Sequence, residues 1–215
     1  MSIKAVLFDL DNTLVDFVKM KKEACKSAIN GMIDAGLRMK KKEGYKKLME
    51  CYFRLGLDSS FAFTKFLEEQ TGKVDEKILK AAIRGYRKTK PNFLKPYPYV
   101  LETLEMIKSL RLKMGVVTDA PREKALQRLN SMHITNYFDL IITLDDTGVK
   151  KKELKPLELA MKKLNMLPEE ILFVGDSLRR DIEPAKNMGM KTLLIEKYQD
   201  LRKVKNFIQD KAENT

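Results

Sequence analysis

The sequence contains little cysteine, little histidine and no C-x-x-C pair. Its 215 residues include two cysteines, Cys25 and Cys51, which we expect to be reduced thiols, although the sequence alone leaves a bridge between them open. The one histidine, His133, lies near the end of a predicted helix. So little histidine argues against Ser-His-Asp catalysis.

Long apolar runs are absent as well. No stretch approaches the roughly 20 apolar residues that span a bilayer. Met1–Lys4 lead directly into the first predicted strand, and that start leaves no room for a signal peptide. We therefore expect a cytoplasmic protein that has no membrane partner.

Positive charge, in contrast, is abundant. The chain has 42 Lys and Arg residues against 30 Asp and Glu residues, a formal net charge of +12. The lysines are spread over predicted helices and interleaved with glutamate, and no aromatic-rich basic motif accompanies them. We therefore favour a solvated helical surface over a nucleic-acid site. A basic surface would also attract a small phosphorylated metabolite as substrate.

Five apolar segments rich in β-branched residues have the length of buried strands. They are Lys4–Phe8, Lys113–Val117, Leu140–Thr143, Ile171–Val174 and Thr192–Ile195. Helical patterns follow the later strands, over Glu123–Met132, Leu157–Leu164, Ile182–Met188 and Asp200–Gln209. Alternating strands and helices indicate parallel pairing with right-handed crossovers. The predicted fold class is therefore α/β, with a doubly wound, Rossmann-like parallel sheet.

The first strand does not follow this alternation. About 80 residues separate it from the helix before the second strand, far more than a plain crossover needs. Four helical patterns and no convincing strand fill this insert: Val18–Ala35, Lys41–Arg54, Ser60–Gln70 and Glu76–Lys88. We predict an all-helical cap domain over residues 16–95, inserted into a core domain of residues 1–15 and 96–215.

Acidic residues follow two of the predicted strands. The sequence Asp9-Leu10-Asp11-Asn12-Thr13 follows the first strand, and the run from Gly175-Asp176 to Asp181 follows the fourth. Open α/β sheets bind their ligands at the carboxyl ends of the strands. Two such acid clusters, far apart in the sequence, can converge on one metal ion.

The order of these features resembles the haloacid dehalogenase superfamily of phosphotransferases, in the branch with a helical cap after the first strand. The features are D-x-D-x-T, a helical insert, a strand that ends at Thr118, the pair Lys155-Pro156, and G-D-x-x-x-x-D. The small phosphatases of this branch look most similar, including phosphoglycolate, nucleotidase-like and glyceraldehyde-phosphate types. The resemblance implies a phosphatase that hydrolyses a small phosphomonoester and uses Mg²⁺ as its cofactor.

The resemblance also implies roles for the acidic residues. Asp9 would be the nucleophile that forms an aspartyl-phosphate, and Asp11 the general acid and base. The Asp9 carboxylate, the Asp11 carbonyl and the Asp176 carboxylate would bind the metal, and Asp181 would orient its waters or Lys155. Because dehalogenases lack a carboxylate at the position of Asp11, that residue favours phosphoryl transfer over dehalogenation.

Two further positions are implied by the resemblance. Thr118 would donate its hydroxyl to a phosphoryl oxygen, and the following Asp119, where many relatives have Asn, would turn its carboxylate away. Lys155 would neutralise charge on the phosphoryl group. We prefer Lys155 because the Lys155-Pro156 pair matches the family and starts a predicted helix. Lys151 stays open, because its spacing from Gly148 also fits.

The sequence is also compatible with other functions. A phosphomutase would use the same core, phosphonate hydrolysis would need a cap lysine that forms a Schiff base, and a non-catalytic protein could bind RNA through its basic surface. The sequence leaves the identity of the phosphomonoester and the choice between monomer and dimer undecided. Arg54, Lys65, Arg84 and Tyr86 are polar cap candidates for substrate selection that the sequence does not rank.

Overall fold

A parallel sheet of five strands organises the larger part of the molecule. A computed structural model of the chain describes residues 2–209. The strands are β1 (Ala5–Phe8), β2 (Lys113–Val117), β3 (Leu140–Ile142), β4 (Ile171–Gly175) and β5 (Lys191–Leu194). They pair in the order β3-β2-β1-β4-β5, and every pair is parallel. The predicted α/β fold class is confirmed.

The central position of β1 explains why its sequence is apolar throughout. All four of its residues are buried, since it has neighbours on both edges and helices on both faces. Its last residue, Phe8, is in register with Val116 of β2 and with Val174 of β4. The three middle strands therefore end side by side, and the residues that follow them meet at one edge of the sheet.

The insert between β1 and β2 is helical. It consists of α1 (Phe17–Asp34), α2 (Lys41–Leu55), α3 (Ala62–Thr71) and α4 (Glu76–Phe93). Asp75 caps α4, because its carboxylate accepts hydrogen bonds from the backbone N–H groups of Lys77 and Ile78. The helix continues past its predicted end at Lys88 and carries Pro91 in its last turn.

Within residues 2–209, the sheet-containing part of the chain has six α-helices. They are α5 (Val100–Ser109), α6 (Arg122–Ser131), α7 (Leu144–Thr147), α8 (Lys155–Leu164), α9 (Glu183–Asn187) and α10 (Val204–Gln209). Two predicted helices begin later than expected. A wide helical turn over Leu178–Ile182 precedes α9, and a 3-10 helix over Tyr198–Lys203 precedes α10.

The chain divides into two compact units. One contains the residues up to Asp16 together with those from Lys95 onward, and the other is Phe17–Leu94. The helical unit has an apolar core of its own, to which Met32, Leu48 and Phe66 belong. Cys25 and Cys51 are buried there as free thiols. Among residues 2–209, no helix is long and apolar enough to cross a membrane.

Candidate active site

Asp9 lies where β1 ends. Its backbone N–H donates to the carbonyl of Val174 at 2.9 Å, so the strand pairing extends to this residue. The side chain is buried, and its Oδ2 accepts a hydrogen bond from the Thr13 hydroxyl at 3.3 Å. Asn12 has a φ of 64° and donates its N–H to Val15, which makes a tight turn directly after Asp11.

The acidic loop after β4 approaches the same place. Asp176 follows the last residue of β4, and the buried Asp181 accepts a hydrogen bond at Oδ2 from the Ser177 N–H at 3.0 Å. Gly175 makes this packing possible. A Cβ at that position would lie 2.5 Å from the Cβ of Asp181, so any side chain there would displace the carboxylate.

The two acidic loops converge. One carboxylate oxygen from each of Asp9, Asp176 and Asp181 lies within 4.8 Å of the other two. The ammonium of Lys151 contacts Asp9 Oδ1, lies 2.7 Å from Asp181 Oδ1 and donates to the carbonyl of Val117 at 3.1 Å. Two of the three carboxylates therefore contact one buried ammonium, and the third lies close to both of them. The cluster has excess negative charge when all four groups are ionised.

Lys151, the alternative to the preferred Lys155, is the lysine that lies against the acids. Lys155 is an exposed residue in the first turn of α8, whereas Lys151 is 1% exposed and bound to two carboxylates. Pro156 correctly indicated where a helix starts. The start of a helix, however, does not determine whether the side chain of a neighbouring lysine reaches the acids. The spacing from Gly148 to Lys151 was the better signal.

Asp119 holds the segment that carries Lys151. Its Oδ1 accepts a hydrogen bond from the backbone N–H of Lys151 at 2.8 Å. Lys151 then starts a 3-10 turn over Lys151–Glu153, and Leu154 follows it with a φ of 63°. The acid at position 119, where many relatives have Asn, thus has a local structural role. Its negative charge also favours the charged form of Lys151.

Burial and the mutual repulsion of the acids set the electrostatics of the cluster. Burial raises the pKa of Asp9 to about 6, with Lys151 opposing the rise and Asp181 adding to it. Burial and the charge of Asp9 also raise the pKa of Asp176. Burial alone would lower the pKa of Lys151, but the carboxylates of Asp9, Asp181 and Asp119 more than offset this and raise it.

The cluster suits a hard divalent cation. Asp176 Oδ1 is fully buried and has no hydrogen-bond partner among the residues that the structure describes. The guanidinium of Arg180 lies 3.6 Å from this oxygen, beyond hydrogen-bond distance. A buried carboxylate oxygen that accepts no hydrogen bond is costly, and a cation bound to oxygen ligands would remove that cost. The excess of carboxylates over ammonium groups favours the same occupant.

The remaining predicted residues lie nearby in the fold. Thr118 follows β2, is buried, and accepts a hydrogen bond from the Ala120 N–H at 3.2 Å; its hydroxyl also carries a hydrogen to donate. The Asp11 carboxylate does not belong to the group of three acids. Its Oδ2 lies 2.9 Å from Nη1 of Arg128 in α6.

Sequence reasoning missed Arg128. Its side chain is 2% exposed, among the least exposed of the charged side chains. An arginine in an amphipathic helix is normally solvated, so the pattern of α6 contains no signal for burial. His133, by contrast, is exposed, has a φ of 57° and lies two residues past the end of α6.

The sequence profile of the haloacid dehalogenase-like hydrolase family matches residues 6–195. The chain belongs to this family. A glyceraldehyde 3-phosphate phosphatase from Methanocaldococcus jannaschii is 35% identical over 93% of the chain and 88% of that relative. A phosphoglycolate phosphatase from Aquifex aeolicus is 32% identical over 89% of the chain and 84% of that relative. A solved HAD phosphatase from Thermococcus onnurineus has a TM-score of 0.67 at 28% identity and covers 90% of this chain and 86% of its own.

These similarities confirm the predicted family, and with it the prediction that the chain is an enzyme. As a haloacid dehalogenase-like hydrolase, the protein carries its acid cluster at the carboxyl edge of the sheet. Both curated relatives are named phosphatases, in agreement with the predicted class of phosphoric monoester hydrolases.

Proposed function

We propose that this haloacid dehalogenase-like hydrolase is a Mg²⁺-dependent phosphatase that acts on a small phosphomonoester through an aspartyl-phosphate on Asp9. One observation carries the proposal. Two acidic loops converge at the carboxyl edge of the sheet around a single buried lysine, with Asp11 two residues from Asp9. A non-catalytic binding protein has no need for this combination of acids.

Asp9 is the nucleophile in this mechanism. Although burial raises its pKa to about 6, most of the carboxyl is ionised at neutral pH. One of its oxygens attacks phosphorus, and the bond between phosphorus and the ester oxygen breaks. Lys151 offsets the negative charge of Asp9 and of the incoming phosphoryl group, and Thr118 donates its hydroxyl to a phosphoryl oxygen.

Asp11 moves the protons. As the ester bond breaks, its carboxylic acid protonates the leaving alkoxide, which departs as an alcohol. The resulting carboxylate then takes a proton from the water that attacks the aspartyl-phosphate. Inorganic phosphate leaves, and Asp9 returns to its original form.

The carboxylates of Asp9 and Asp176 and the backbone carbonyl of Asp11 would hold the Mg²⁺. The ion supplies charge neutralisation, so that an anionic nucleophile can approach an anionic phosphoryl group. Asp181 is held by Lys151 and by the Ser177 N–H. We assign it the tasks of fixing the ammonium of Lys151 and orienting ligands of the ion.

The substrate belongs to the class of small phosphorylated metabolites. The names of the two relatives described above suggest glyceraldehyde 3-phosphate and phosphoglycolate as the first compounds to test. The net charge of +12 favours an anionic substrate. We propose that the helical unit Phe17–Leu94 is the cap domain and selects the organic part of the substrate.

A phosphomonoester panel tests the proposal. Phosphate release from glyceraldehyde 3-phosphate, phosphoglycolate and p-nitrophenyl phosphate is measured with Mg²⁺ and with EDTA. We expect activity with Mg²⁺ only, and a loss on the order of 10³-fold or more for Asp9→Asn. Activity that survives Asp9→Asn would remove the nucleophile from the proposal. An isomerised phosphate ester in place of free phosphate would identify a phosphomutase.

A further inference from the structure

The ion pair between Asp11 and Arg128 joins two distant parts of the sheet-containing unit. Arg128 comes from α6, which follows β2, and its Nη1 lies 2.9 Å from Oδ2 of Asp11. The arginine side chain is 2% exposed, and that of Asp11 is 21% exposed. The Asp11 carboxylate is thus directed toward a buried guanidinium, while Asp9 and Asp181 contact Lys151.

Packing alone does not explain an arginine at this position. The buried side of α6 also carries Ala125 and Leu129, so an apolar residue at position 128 would fill the same space. Burying a guanidinium carries a large desolvation cost, and a buried ion pair often contributes no more stability than apolar residues of similar volume. What an arginine adds is a rigid, planar set of donors that fixes the orientation of a carboxylate.

We propose that Arg128 is a positioning residue that holds Asp11 in the orientation needed for proton transfer. The inference rests on the proposed function, in which Asp11 is the acid and the base. With Oδ2 fixed by the guanidinium, Oδ1 exchanges the proton. It delivers the proton to the ester oxygen as that oxygen leaves phosphorus, and later receives one from the water that attacks the aspartyl-phosphate.

This role predicts a dependence on the leaving group. An alkoxide leaving group needs a proton at the moment of departure, whereas p-nitrophenolate is stable without one. Loss of Arg128 should therefore slow the phosphorylation of Asp9 by an alkyl ester much more than by p-nitrophenyl phosphate. A general loss of folding or of metal binding would slow both reactions alike.

The experiment compares Arg128→Met with the wild-type enzyme. Single-turnover phosphorylation by glyceraldehyde 3-phosphate should slow by about 10²-fold, the usual size of a general-acid effect. The burst of p-nitrophenolate should change by less than about threefold, and KM for the alkyl ester should change far less than kcat. Equal losses with both esters, or no loss with either, would overturn the proposal.

Two further variants allow the proposal to be tested even if Arg128→Met folds poorly. Arg128→Lys retains the charge without the planar donors, and it should show a smaller loss with the same preference between the esters. Arg122→Met is the matched control, because Arg122 lies in the same helix, is exposed and pairs with Asp146 at 3.1 Å. That control should turn over both esters at wild-type rates.

A double-mutant comparison connects the effect to Asp11. In an Asp11→Asn background, Arg128→Met should cause no further loss on the alkyl ester, since the proton donor is already gone. If Arg128→Met caused the same further loss in this background as in wild type, Arg128 would not act through Asp11. If the wild-type enzyme turns over neither ester, the proposed function fails and the role of Arg128 with it. Wild-type turnover with an unimpaired Arg128→Met refutes only the role of Arg128.

Discussion

At the scale of single residues, the site depends on a few charged groups that are buried close together. Lys151 is surrounded by the carboxylates of Asp9 and Asp181, and its backbone is fixed by Asp119. An ammonium in such surroundings stays protonated and acts as a fixed positive charge. Lys155, four positions along the chain, lies in solvent.

The two lysines should therefore respond differently to removal. Lys151→Ala takes away the positive charge that offsets Asp9 and the phosphoryl group, so kcat/KM should fall by about 10² to 10³-fold. Lys155→Ala removes a solvated side chain and should stay within about threefold of wild type. Both are measured as phosphate release from one phosphomonoester at saturating Mg²⁺, with thermal unfolding as the check on folding. A larger loss for Lys155→Ala would restore the preference drawn from the sequence.

At the scale of elements, α1 and α4 of the helical unit pack with their backbones close together. Gly31 and Gly85 permit it. A Cβ at Gly31 would lie 2.7 Å from the carbonyl oxygen of Ala81, and a Cβ at Gly85 would lie 2.6 Å from that of Ser27. Both obstacles are backbone atoms of the opposite helix, which cannot rotate away.

This contact reverses the usual effect of replacing glycine in a helix. Gly→Ala in a helix interior normally stabilises by about 0.5–1 kcal/mol. Gly85→Ala should instead lower the free energy of unfolding by about 1–3 kcal/mol, because the methyl group forces the helices apart. Urea unfolding followed by far-UV circular dichroism measures the change.

Gly44→Ala in α2 is the matched control for this prediction. The added Cβ would meet only side-chain atoms of Ile29 and Met39, the nearest at 3.1 Å, and these can move. Its stability should stay close to that of wild type. A Gly85→Ala variant as stable as Gly44→Ala would show that α1 and α4 do not pack this closely in solution.

At the scale of the whole molecule, a protein with a net charge of +12 concentrates negative charge at one place. The acids Asp9, Asp176 and Asp181 repel one another there, and Asp176 keeps one buried oxygen without a hydrogen-bond partner among the described residues. The folded state without a cation therefore contains an unfavourable interaction that a divalent ion would relieve.

Mg²⁺ should accordingly stabilise the folded enzyme. At 100 times its dissociation constant, the ion is expected to raise the free energy of unfolding by about 2.7 kcal/mol, and EDTA should remove the increase. Asp176→Asn should abolish the increase, yet be more stable than wild type in EDTA, because one repelling carboxylate is gone. Thermal and urea unfolding with and without Mg²⁺ measure both effects.

Asp34→Asn is the control for the metal experiment, since Asp34 is exposed at the end of α1. In this variant, Mg²⁺ should raise the free energy of unfolding by the same amount as in wild type. Equal increments in wild type and Asp176→Asn would place the stabilising ion somewhere other than the acid cluster.

The amino-acid sequence by itself determined the sheet, the helical insert and the family. Each of these depends on local patterns: short apolar runs bounded by turns, helical periodicity, and acids directly after strands. Asp9, Thr118 and Asp176 each come just after a predicted parallel strand, so the sequence was enough to expect all three at the carboxyl edge of the sheet. Their catalytic roles stay predictions.

Only the tertiary structure decided which lysine meets Asp9 and that Arg128 is buried beside Asp11. Lys151 is 142 positions from Asp9, and Arg128 is 117 from Asp11. Local pattern does not encode such contacts, because a long basic side chain on a turn or helix is solvated unless distant segments close over it. An ammonium reaches a carboxylate only when the loops that carry them pack together. These loops pack only after the whole sheet has formed.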